Sequence, residues 1–104
     1  MKYISEINIH KNDISAEELK RYLSDRESPY KDQILRYMHF DRFESACTTA
    51  KVYDYILDKE TDIAMTSYHD ELYYWDDRDI YYFEKYNIKL SDEFVSHVLR
   101  VTKE

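Results

Sequence analysis

Residues with chemical potential are present in this chain, but their spacing assembles no reactive site. His10, His39, His69 and His97 are scattered, and no Cys or His pair stands at ligand spacing. Tyr68-His69-Asp70-Glu71 offers several ligand types, yet adjacent side chains on a strand or turn diverge, so a surface histidine is the ordinary reading. Cys47 is the sole cysteine and lies in a small-residue stripe with Ala46 and Ala50, which predicts a buried, inert thiol. Carboxylates suited to acid–base work abound, but nothing in the sequence marks one as desolvated. The chain contains no glycine. Phosphate-binding loops, dinucleotide fingerprints and nucleophile elbows use glycine where backbone must approach a ligand or adopt positive φ. The sequence therefore predicts no enzyme, no cofactor and no metal.

What the sequence does concentrate is negative charge. Net charge is −7, and residues 1–52 are balanced, with nine acids against nine bases. Between Asp54 and Asp79 nine acids face only Lys59 and Arg78, which accounts for the whole excess. The same window and its edges hold Tyr53, Tyr55, Tyr68, Tyr73, Tyr74, Trp75, Tyr81 and Tyr82, within a chain of twelve tyrosines. A domain of 104 residues is not expected to bury that many phenols with every hydroxyl satisfied, which predicts half-covered rings at the surface. Clustered like charges repel, and a basic partner would relieve the repulsion and be steered by the field. A solvated face is the alternative reading of any such run.

The elements that would carry these residues begin with an ambiguous segment, Lys2 to Ile9, read as irregular or helical. Ser15-Ala16-Glu17-Glu18 is a capping box with an Ile14–Leu19 staple, which predicts a helix over 16–24. Ser28-Pro29 predicts a second over 29–39, with Ile34, Leu35 and Met38 inward. Phe43, Ala46, Cys47, Ala50, Tyr53 and Leu57 fit a helical stripe, so the first half of 41–59 is read as helix. The second half takes no firm state, because Thr48 to Ile56 also suits extended chain. A hairpin is predicted with strands 63–68 and 72–75 and a turn at His69-Asp70-Glu71, where Asp70 or His69 would adopt any positive φ; the rival is one helix carrying Met65, Tyr68, Leu72 and Trp75. Asp76 or Asp77 caps a helix ending at Asn87, and Leu90-Ser91 opens a last one with Phe94, Val95, Val98 and Leu99 inward. The fold expected is one α+β domain over 1–104, mainly helical with a small β-hairpin.

Three segments resemble the tail of small bacterial immunity proteins encoded beside polymorphic or contact-dependent toxins: Trp75-Asp76, Asp79 to Asn87, and Leu90-Ser91-Asp92-Glu93-Phe94. The likeness covers about a quarter of the chain. Where that pattern often places Asp-Gly before the aromatic strand, this chain has Asp70-Glu71. The resemblance implies a cytosolic inhibitor that binds a basic, nuclease-type toxin.

The functional expectation is thus a protein-binding inhibitor. Its partner-binding residues would be Asp58, Glu60, Asp62, Asp70, Glu71, Tyr73, Tyr74, Trp75, Asp76, Asp77, Asp79, Tyr81 and Tyr82. The alternative is a phage-type DNA mimic acting on a restriction or CRISPR effector, for which −7 is a modest charge. Binding to nucleic acid or membrane is not expected, since the excess charge has the sign of phosphate. A lone thiol and an opening without an apolar h-region predict a cytoplasmic protein.

Overall fold

The computed structural model describes residues 2–5 and 15–102. Its order is β1 (Lys2–Tyr3), α1 (Ala16–Lys20), α2 (Lys31–Phe40), β2 (Phe43–Asp54), β3 (Lys59–His69), β4 (Tyr73–Asp76), α3 (Asp77–Tyr86) and α4 (Asp92–Val101). Among the described residues the strands form one four-stranded sheet, β1-β4-β3-β2. β1 runs parallel to β4, and the other pairs are antiparallel. The mainly helical expectation is overturned: β2 and β3 alone contribute strands of 12 and 11 residues.

β2 is where the helical reading fails. The stripe it relied on stays in water, with Phe43, Cys47, Ala50 and Leu57 all exposed. A helix burying Ala and Cys would remove little apolar surface from water. The β-branched Thr48, Thr49 and Val52 instead suit a pleated strand with a partner. Cys47 is consequently exposed rather than buried. At the start of the chain, Lys2–Tyr3 pairs with Tyr73–Tyr74 as a short strand where irregular or helical backbone was expected, and residues 6–9 of that segment lie outside the described residues.

Ser28 and Pro29 do not open α2, which begins at Lys31 with Tyr30 at the N-cap and no side-chain cap; at the other helix ends local chemistry acts largely as expected. The Ser15 hydroxyl accepts from the Glu18 N–H at the start of α1; its staple partner Ile14 lies outside the described residues. α1 stops at Lys20, short of the predicted end. Asp76 and Asp79 form a reciprocal capping box on α3, and Asn87 closes that helix in the left-handed region at φ 55°. Ser91 caps α4 by accepting from the Phe94 N–H at 3.1 Å. The β3–β4 turn falls where predicted but uses no positive φ. Asp70 Oδ1 accepts from the N–H groups of Leu72 and Tyr73, at 2.7 and 2.6 Å, and the carboxylate closes the turn. Positive φ appears instead at Asp58, in the β2–β3 turn.

The core gathers where α2, α3 and α4 meet the β1–β4–β3 end of the sheet. Trp75 on β4 is its largest member; it packs on Tyr37 and Phe94 and donates to the Met38 carbonyl at 3.2 Å. Tyr73 and Trp75 point inward and Tyr74 outward, the period of a strand. β4 pairs with β3 only from Ser67 to His69, so β2 and the rest of β3 extend as a two-stranded ribbon. Every described side chain from Phe43 to Lys51 is exposed. Register shifts between Glu44 and Ala46, Cys47 and Lys51, and Lys51 and Tyr53 kink the outer strand, which blunts its free edge.

Candidate functional site

The acid-and-tyrosine window is mostly an internal hydrogen-bonding system. Asp54, fully buried at the end of β2, accepts from the hydroxyls of Tyr81 at 2.5 Å and Tyr86 at 2.6 Å. It also accepts from the Ile56 and Leu57 N–H groups, each at 2.8 Å. Asp77 accepts from the Tyr68 hydroxyl and the Thr66 N–H. Asp79 accepts from the Tyr3 hydroxyl and the Asp76 N–H, and Asp76 pairs with Arg78 at 2.7 Å. Tyr53 donates to Asp58, and Tyr82 donates to the Tyr53 carbonyl at 2.8 Å. Burial alone would raise the Asp54 carboxyl, but the tyrosine and backbone donors outweigh it and hold it at about 2. The same burial lifts the Tyr82 phenol to about 12.

This arrangement divides the predicted partner-binding residues. Asp70, Tyr73, Trp75, Asp76, Asp79 and Tyr82 are buried, so they cannot present a gripping face. Asp77 and Tyr81 are half-buried and already hydrogen-bonded. Asp58, Glu60, Asp62, Glu71 and Tyr74 remain exposed, but not together. The first three lie at the turn end of the ribbon and Glu71 at the far end of β3, roughly 30 Å away at strand rise. Tyr37, Tyr68, Tyr73 and Tyr82 are buried and Tyr30 and Tyr74 exposed, while the other six tyrosines are half-buried as expected, several of them with their hydroxyls given to carboxylates of the same chain.

One exposed feature does combine acids with apolar surface. Tyr37, Asp41, Phe43, Asp70, Glu71, His97, Val101 and Thr102 line an open cleft of about 350 Å³. The end of α2 supplies Tyr37 and Asp41, the start of β2 Phe43, the β3–β4 turn Asp70 and Glu71, and the end of α4 the rest. Phe43 is 64% exposed and Val101 52%, while Phe40 and Leu72, next in sequence to Asp41 and Glu71, are exposed as well. No Lys or Arg lines the cleft among the described residues.

Its floor is fixed by Asp70. Oδ1 closes the turn, while Oδ2 accepts from the Tyr37 hydroxyl at 2.5 Å and lies 3.1 Å from His97 Nε2. Burial would raise this carboxyl; the Tyr37 hydroxyl, the Tyr73 and Leu72 N–H groups and His97 outweigh it and hold it below the usual range. The Tyr37 phenol is pushed up, by burial first and then by its bond to Asp70. An ionised Asp70 can only accept, which assigns the His97 proton to Nε2. Nδ1 of the ring is buried and without a partner among the described residues.

No protein-family model, curated protein or solved structure matches the chain.

Of the cleft residues, sequence reasoning placed only Asp70 and Glu71 among the partner-binding residues. His97 was legible in one respect: it stands on the Phe94–Val98 face of α4, and a histidine on an inward face needs a polar partner. Phe43 and Asp41 were hidden by the helical reading of that segment. No group of three or more His, Cys, Asp or Glu that could hold a metal ion occurs among the described residues. No helix there is long and apolar enough to cross a membrane.

Proposed function

We propose that the chain is a protein-binding inhibitor of a basic partner, acting as an immunity protein does towards a toxin. The docking surface is the cleft between α2, α4 and the β3–β4 turn. The observation that carries this reading is the meeting of exposed apolar side chains, Phe43 and Val101, with the uncompensated carboxylates Asp41 and Glu71 at one mouth. Exposed aromatic and aliphatic groups supply binding energy when covered, and flanking charge selects the sign of the partner. The buried acids of the original window support the site by ordering its walls. The acids of the ribbon turn, Asp58, Glu60 and Asp62, add long-range attraction.

The test is co-expression with the product of the reading frame adjacent to this gene, read as growth rescue and as affinity between the purified proteins. Asp41→Lys combined with Glu71→Lys should weaken binding by about 100-fold and abolish rescue. Lysines at 58, 60 and 62 should slow association by less than about tenfold and leave dissociation unchanged. An adjacent product that is neither toxic nor bound would overturn the reading. A cleft double variant that still binds at full strength would overturn the placement.

A further inference from the structure

We draw no further inference here: the strongest candidate, the apolar groove between the link that follows α1 and the turn from α3 to α4, where Arg21 and Arg26 join Tyr22, Leu23, Phe83 and Val95 in the walls, carries nothing because nothing in the structure shows what covers it.

Discussion

Asp54→Ala is expected to destabilise the protein by about 3–5 kcal/mol, measured as a lowered urea midpoint with little change in slope. The carboxylate is fully buried and accepts from two tyrosine hydroxyls and two backbone N–H groups. Its removal leaves four donors competing for no acceptor, and an unpaired donor in a desolvated place costs more than the lost bond. The damage is specific in location, because Asp54 joins the end of β2 and the β2–β3 turn to Tyr81 and Tyr86 on α3. Acid should reproduce part of it. The folded carboxyl sits at about 2, below its ordinary 3.8, so its contribution is complete above about pH 4 and is lost as pH falls towards 2. That part amounts to about 2 kcal/mol at most, and less in so far as solvent screens the site. An Asp54→Ala protein should therefore show a flatter stability profile between pH 4 and 2 than the parent, besides a lower plateau.

The second large effect is expected at Asp70. Asp70→Ala should cost about 3–4 kcal/mol, because the side chain both closes the β3–β4 turn and accepts from Tyr37 and His97. Tyr37→Phe removes only one donor and leaves the turn intact, so about 1–2 kcal/mol is expected there. The double variant should be less unstable than the sum of the two, by about 1 kcal/mol, since the same hydrogen bond is lost in both. Its carboxyl is also held down in the folded state, so this contribution too is present above the ordinary carboxylate range and fades as pH drops below it. For the cleft the consequence is chemical as well as energetic. Without Asp70, His97 Nε2 loses its carboxylate partner and keeps only the Tyr37 hydroxyl, 3.3 Å away.

The parts of the fold legible in the sequence are those decided by local chemistry. Ser15, Asp76, Asn87 and Ser91 each satisfy backbone groups within their own turn of helix; Ser15, Asn87 and Ser91 were read as such, Asp76 was one of two candidates, and its capping-box partner Asp79 was not anticipated. The hairpin of β3 and β4 was anticipated, though its first strand was expected to start at 63 and starts at Lys59. β2 was not, because its apolar spacing of Phe43, Cys47 and Ala50 fits a helix, and pairing with β3 overrides it. The site was misplaced for a related reason. Acidity and tyrosine content are properties of the sequence, but whether a carboxylate meets a phenol indoors or water outdoors depends on contacts such as Tyr3 with Asp79, 76 residues apart. Asp41, Phe43 and His97 come together only once α2, β2 and α4 are packed, and no spacing in the chain announces it.

The pairing of phenols with carboxylates sets the molecule's limit in alkali. Tyr3, Tyr37, Tyr68, Tyr81, Tyr82 and Tyr86 all hold their protons beyond the ordinary range, in each case first through burial. A raised phenol stabilises the folded state below its unfolded value near 10, and that stabilisation disappears as pH climbs through the folded value. Five of these hydroxyls point at Asp54, Asp70, Asp77 or Asp79, so each phenolate formed would stand against an existing negative charge. Neutral and mildly basic media leave the architecture untouched. In strong base the same bonds turn repulsive together, and the chain should come apart over a narrow interval instead of loosening by degrees.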